Sequence, residues 1–181
     1  IDNKNIKQHY LHLLRKNCGV VPQEVFLFND TIANNIAFGS KEINTDKMKV
    51  ESSARQAGVY ENIMAFADKF ETMVGERGVT LSGGQKQRIS IARAIISKPS
   101  LLFFDDCLSA VDSETEELIL SNLKKEMKDK TSIIVSHRIS SIKNADLILY
   151  LKDGEIAEMG THEELIALRK NYFELDQLQN N

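Results

Sequence analysis

Short apolar stretches separated by stretches of helical period constrain this chain more than any other feature. Leu101–Asp105, Ser132–Ser136 and Asp146–Lys152 are strand-sized, and Ser113–Met127 and Ile139–Lys143 between them read as helices. Leu101-Leu102-Phe103-Phe104 and Ile133-Ile134-Val135 are continuous apolar runs, the pattern of strands buried on both faces. Parallel neighbours need a long crossover, and Ser113–Met127 supplies one, opened by Ser113 and Glu116 in capping-box spacing. Asp153-Gly154 is a hairpin signal before Glu155–Met159, and Thr161 with Glu164 opens a terminal helix through a second capping box. Upstream, Ile6–Leu14 is amphipathic and Gly19-Val20-Val21-Pro22-Gln23 reads as a short strand ended by proline. From Thr31 to Ala67 apolar residues recur at mostly helical spacing, punctuated by Gly39 and Gly58, and Ser82–Ser97 is a helix stopped by Pro99. The expected architecture is α/β: a parallel sheet covered by helices on both faces, with an inserted helical lobe.

Length and charge narrow the function. A chain of 181 residues, 42% hydrophobic, suits one domain with a real core. With 23 Lys and Arg against 26 Asp and Glu, its net charge of −3 argues against a non-specific nucleic-acid binder, so no nucleic-acid partner is expected. A local anion site needs only a few oriented amides. Cys18 and Cys107 cannot make a multi-bridge framework, and a reducing, intracellular setting is expected. The longest apolar runs, such as Leu147–Leu151, fall short of the roughly 18–20 residues of a membrane span. The chain opens on Ile1 rather than Met and is read as a piece of a longer protein.

Four places carry polar groups suited to phosphate chemistry. Asp105 and Asp106 end an apolar strand, where α/β sheets place their ligand chemistry. One carboxylate there can hold Mg²⁺ and a second can orient or deprotonate water, although a polar turn after a strand is equally consistent. Leu81-Ser82-Gly83-Gly84-Gln85 leads into a helix, so its hydroxyl and glycine amides make an anion pocket. Ser82 as a simple N-cap is the competing reading. Gln23 and His137 each follow a strand and could reach a phosphate or water at the same edge; either could also be an ordinary loop residue.

Taken together and in this order, these residues resemble the nucleotide-binding domain of an ABC transporter. Leu81–Gln85 matches the LSGGQ signature unaltered, and Leu101–Asp105 is similar to the Walker B strand. Gln23 resembles the Q-loop glutamine, Ser109-Ala110-Val111-Asp112 the D-loop, and His137 the switch histidine. Pro22–Phe28 with Thr31-Ile32, and Gly75-Glu76-Arg77-Gly78, resemble elements of the exporter branch. The resemblance covers essentially the whole chain. It implies a P-loop NTPase-like (RecA-like), mainly parallel sheet, with residues 24–98 as the helical subdomain and residues 1–23 and 99–181 as core and C-terminal helices. It also implies ATP and Mg²⁺ as ligands, and ATP hydrolysis that drives export from the cytoplasmic face of the membrane. The implied partners are the transporter's transmembrane domain and a second nucleotide-binding domain.

The same resemblance implies roles. Asp105 holds Mg²⁺, Asp106 is the base, Gln23 senses Mg²⁺ and the attacking water, and His137 contacts the γ-phosphate. Ser82, Gly83 and Gly84 clasp the γ-phosphate of the opposite subunit's ATP, Gln85 lies near its ribose, and Asp112 lies at the dimer seam. Two departures qualify this. The Walker A motif is absent: from Gly78 to Gly83 the spacing fits, but Gly84 stands where lysine is needed. The family usually has Glu where Asp106 stands. Aspartate is shorter by one methylene, about 1.5 Å, and a misplacement of about 1 Å can cost on the order of 100-fold in rate. The site holding Asp106 is therefore expected to be slow, with a tolerated conservative swap as the competing reading; the partner domain is expected to come from a different chain with an intact base, in preference to a second copy of this one. Competing readings are a non-hydrolysing regulatory half and a soluble ABC ATPase of the chromosome or repair type.

Overall fold

The computed structural model describes residues 1–42, 44–75, 79–108, 113–128 and 130–180, and of residues 113, 114, 125 and 180 the backbone alone. After a 3-10 turn at Ile6–Gln8 come α1 (Leu11–Lys16), β1 (Cys18–Val21), β2 (Asp30–Thr31), α2 (Ile32–Ala37), α3 (Lys47–Gln56) and α4 (Tyr60–Met64). A second such turn at Lys69–Glu71 leads to β3 (Met73–Val74), α5 (Gly83–Ile95), β4 (Leu101–Asp105), α6 (Ser113–Met127) and β5 (Thr131–Val135). Then follow α7 (Ile139–Ile142), β6 (Ile148–Lys152), β7 (Glu155–Gly160), α8 (His162–Leu168) and α9 (Asn171–Asn180). Two units are distinct, Ile1–Val135 and Ser136–Asn181.

In the first unit a three-stranded parallel sheet runs in the order β1-β4-β5. Alternate residues Val21, Leu102 and Phe104 are buried in one core with Ile91, Ala92 and Ile95 of α5. The approach is close: a Cβ on Gly19 would stand 2.6 Å from the Ala94 carbonyl oxygen, so only glycine fits there. The expectation of a sheet covered on both faces is corrected here. Val20, Ile133 and Val135 on the other face are 56%, 48% and 53% exposed. Apolar runs specify what a strand can bury, not what the described residues bring to cover it.

The helical lobe matches the helical spacing read over 31–67. Ile32, Ile36, Val50, Ala54, Ile63 and Ile89 are buried together. Helix α2 ends hard against α5, where a Cβ on Gly39 would lie 1.8 Å from the Arg93 carbonyl oxygen. The antiparallel pair β2–β3, joining Asp30 to Val74 and Thr31 to Met73, is too short to leave a period in the sequence. The amphipathic stretch 6–14 breaks into the first 3-10 turn and α1, neither with a buried residue.

In the second unit the hairpin read at Asp153-Gly154 is present: β6 joins β7 antiparallel through a two-residue turn with positive φ at Asp153 (53°) and Gly154 (82°). The C-terminal helical stretch divides into α8 and α9, because Arg169 takes a left-handed conformation (φ 51°) that ends α8. The Thr161–Glu164 capping box is present in both directions, at 3.3 and 2.8 Å. The Ser113–Glu116 box rests on a side chain outside those described.

Candidate functional site

Ser82 is extended (φ −64°, ψ 159°) and caps α5. Its Oγ accepts the Gln85 backbone N–H at 3.2 Å, while Gln85 Oε1 accepts the Ser82 N–H at 2.9 Å. So Ser82 is an N-cap, and Gln85 is the returning half of a capping box. This also orients the start of the helix: Ser82 and Gly83 are exposed, and the first amides of a helix have no intrahelical acceptor. Arg88 fixes the turn from below, donating from Nε to the Gly84 carbonyl at 3.2 Å and from Nη1 to the Gly58 carbonyl at 2.9 Å. Gly58 has φ +67° at the turn that follows α3. The signature turn is thereby built into the helical lobe. It lies at the end of α5 remote from Gly19, about 18 Å along the axis from Ala94 at 1.5 Å per residue.

The carboxylates stand at the carboxyl edge of the sheet. Asp105 pairs in register with Val135 and is exposed. Asp106 leaves the strand with φ +41°, and its backbone N–H donates to the Val135 carbonyl at 2.9 Å. A left-handed Asp is uncommon and costs on the order of 1 kcal/mol. Cys107 turns inward, 2% exposed. Burial, with the charges of Asp106 and Asp105 adding, pushes its thiol up to about 12, so it stays protonated and is no nucleophile.

Gln23 is exposed two residues beyond β1, whose Val21 pairs with Phe104 of β4. Because β1 and β4 are parallel neighbours, Gln23 and Asp105–Asp106 leave the sheet along one edge. Asn35 and Arg93, which the sequence reading did not single out, hold the segment beyond Gln23. Asn35 is fully buried; its Oδ1 accepts the Phe28 N–H at 2.8 Å, and its Nδ2 donates to the Phe28 and Thr31 carbonyls at 3.0 Å each. Arg93 of α5 donates to the Asn35 carbonyl and Oδ1 at 2.8 Å each, and to the Phe26 carbonyl at 2.9 Å. Burial lowers the Arg93 guanidinium from its ordinary value. An Asn beside Ile32 and Ile36 on the buried stripe of α2 was the available signal.

His137 belongs to the second unit, where it is exposed just ahead of α7. The structure thus sends Gln23 and Asp105–Asp106 out from the same sheet edge, builds Ser82–Gln85 into the lobe of the same unit, and carries His137 on the other unit. Asp112 lies outside the described residues, with the rest of Ser109–Asp112 and with Glu76, Arg77 and Gly78. Gly75 is described, at φ +112° against Asn29.

Among the described residues no group of three or more His, Cys, Asp or Glu side chains could hold a metal. Asp105 offers an exposed carboxylate at the sheet edge from which the chain also runs on to Gln23, hard-oxygen donors of the kind that fit Mg²⁺ bound through water and substrate phosphate. Among the described residues no helix is long and apolar enough to cross a membrane.

The family model for ABC transporters matches residues 1–109. The chain is 46% identical over 179 residues to mouse (Mus musculus) ATP-binding cassette sub-family B member 5, across 99% of this chain and 14% of that protein. It is 45% identical over 177 residues to the mitochondrial iron-sulfur clusters transporter ATM1 of Gibberella zeae, across 97% of this chain and 25% of that one. A solved structure of a bacterial Atm1-family ABC exporter with ATP bound superposes with a TM-score of 0.93 at 39% identity, over 100% of this chain and 32% of that one. The chain therefore spans a quarter or less of these two curated relatives. By sequence over most of its length and by fold over all of it, this chain belongs to the ABC transporter family, as an exporter-type nucleotide-binding domain.

Proposed function

We propose that this chain works in an ABC exporter that hydrolyses ATP, and that each nucleotide is enclosed by two subunits. The observation that carries this reading is the separation within one unit between the signature turn, built into the helical lobe through Arg88 and Gly58, and the Gln23–Asp105–Asp106 edge of the sheet. A second nucleotide-binding domain completes both halves. Residues 24–98 form the helical subdomain, and residues 1–23 and 99–181 the core portion with its C-terminal helices. The partner domain, the transmembrane domain and a place at the cytoplasmic face of the membrane belong to the same proposal; nucleic acid does not.

On this reading Ser82, Gly83 and Gly84 hold the γ-phosphate of the ATP seated on the partner. Their amides stand at the positive end of the α5 dipole, aimed where charge accumulates as the phosphoryl group departs. Gln85 lies near the ribose of that nucleotide. On the chain's own ATP, Asp105 and Gln23 would hold Mg²⁺, which when bound neutralises charge on the phosphate oxygens. Asp106 accepts a proton from the attacking water, His137 positions that water against the γ-phosphate, and Asp112 lies at the subunit seam. Closure of the two domains on ATP and reopening after hydrolysis would drive the transmembrane domain.

A second reading, a half-site that binds ATP without hydrolysing it efficiently, has specific support at Asp106. Its carboxylate is one methylene short and its backbone is already left-handed. On that account the partner is a different chain, whose full-length base works with this chain's signature. The decisive test is a nucleotide-trapped assembly of the transporter. The Ser82–Gly84 amides are expected within hydrogen-bonding distance of the γ-phosphate on the partner, and finding them far from it would overturn the proposal.

A further inference from the structure

The backbone around His137 is held by a side chain from the last helix. Gln179 Nε2 donates to the His137 carbonyl oxygen at 2.6 Å, and the Ile139 backbone N–H donates to Gln179 Oε1 at 2.8 Å. One primary amide thus uses both its ends. A flipped amide would set carbonyl against carbonyl and N–H against N–H, so a single orientation satisfies both bonds. The partners are 42 and 40 residues apart, so the pairing comes from the packing of α9, not from local chain geometry. Ile139 is the first residue of α7, and Arg138 at its N-cap makes no side-chain cap bond. Gln179 Oε1 supplies from a distance the acceptor that a capping Ser or Asp would otherwise provide. The Arg138 N–H in turn donates to Ser136 Oγ at 3.0 Å. The carbonyl of His137 and the two amides after it are therefore all engaged, while His137 itself is exposed.

Helix α9 is anchored in the core of its own unit. Tyr172 is 1% exposed, its N–H donates to the Glu158 carboxylate at 3.3 Å, and its hydroxyl is hydrogen bonded to His162 Nδ1 at 2.9 Å. The Glu158 carboxylate also accepts from Asn171 Nδ2 at 2.8 Å. Gln179 thus extends from a fixed helix to a short loop with little burial of its own.

We propose that Gln179 is a positioning residue for hydrolysis: its amide clamps the 137–139 backbone and so sets where the His137 imidazole stands. This rests on the role proposed for His137 above. In the assembled transporter carrying this chain, Gln179→Ala is expected to lower kcat about tenfold while KM for ATP stays within twofold, since displacements below about 1 Å already cost rate. Gln179→Glu keeps the shape and the acceptor for Ile139 but turns an oxygen on the His137 carbonyl. At neutral pH its kcat is expected to fall at least as far as that of Gln179→Ala, with KM for ATP again within twofold, because a carboxylate has no hydrogen to donate to the His137 carbonyl. Amide hydrogen exchange at Ile139 is expected to rise about tenfold in Gln179→Ala. Unchanged exchange at Ile139, or kcat of Gln179→Ala within twofold of the parent while His137→Ala loses most activity, would overturn the clamp. Full activity in His137→Ala would instead overturn the role of His137, with the Ile139 exchange still reporting on the clamp itself.

Discussion

The signature turn and the carboxylate corner are both polar endings of regular elements, yet they are built in opposite ways. At the start of α5, Ser82 and Gln85 satisfy one another, the backbone is relaxed, and Arg88 braces the turn. At the end of β4 the chain turns through a left-handed Asp106, with an exposed carboxylate before it and a buried thiol after it. Under the proposed function, a binding surface for a ligand brought by another subunit gains from a satisfied frame. A reacting corner would tolerate its strain because the Asp106 N–H bond to the Val135 carbonyl ties it to the neighbouring strand.

The contrast can be broken from either side. The largest effect is expected at Cys107. With its thiol pushed up to about 12, alkylation at pH 8 should be about 1000-fold slower in the folded chain than in urea, three orders in thiolate fraction. Mass-spectrometric labelling measures it, and equal rates would mean that the corner is open. The sign for stability follows: the folded thiol holds its proton where the unfolded one has lost it. Stability therefore falls as pH rises from about 9 towards 12, and is unaffected by this group below that window.

Next comes Ser82→Arg, which fills the mouth of the glycine turn. ATPase activity of the assembled transporter should fall by about 100-fold or more, the scale of losing preorganised donors at an oxyanion. Asp106→Glu should raise that activity about tenfold by returning the missing methylene; no gain would remove the case for a slow site. The smallest effect is Ser82→Ala in the chain itself, which loses the cap and should cost about 1 kcal/mol in urea denaturation. A separate check concerns the missing Walker A loop. Without its phosphate-binding amides and lysine, the 181-residue chain alone should show no micromolar ATP binding by calorimetry.

Reading the sequence came closest where the chemistry is local. The capping box at Thr161, the hairpin at Asp153-Gly154 and the helix from Ser82 are each written within a few residues. The candidate site was legible in the same way, as motifs at strand and helix ends. Left unread were the groups that hold those motifs: Asn35 and Arg93 behind Gln23, Gln179 behind His137, and the left-handed turn at Asp106. Arg93 and Gln179 pair side chain with backbone 40 or more residues away, and Asn35 with a loop four to seven residues back; a polar residue inside an apolar stripe does not say which carbonyl it will meet.

By itself, then, the sequence determined the alternation of strand and helix, the reactive residue types and the order in which they come, because periodicity and capping act over a turn or two of chain. Tertiary structure alone decided which strand faces which neighbour, which sheet face is covered and that Gln23 and the two carboxylates leave the sheet at one edge. Those outcomes depend on contacts between residues dozens of positions apart, where packing rather than local propensity sets the geometry.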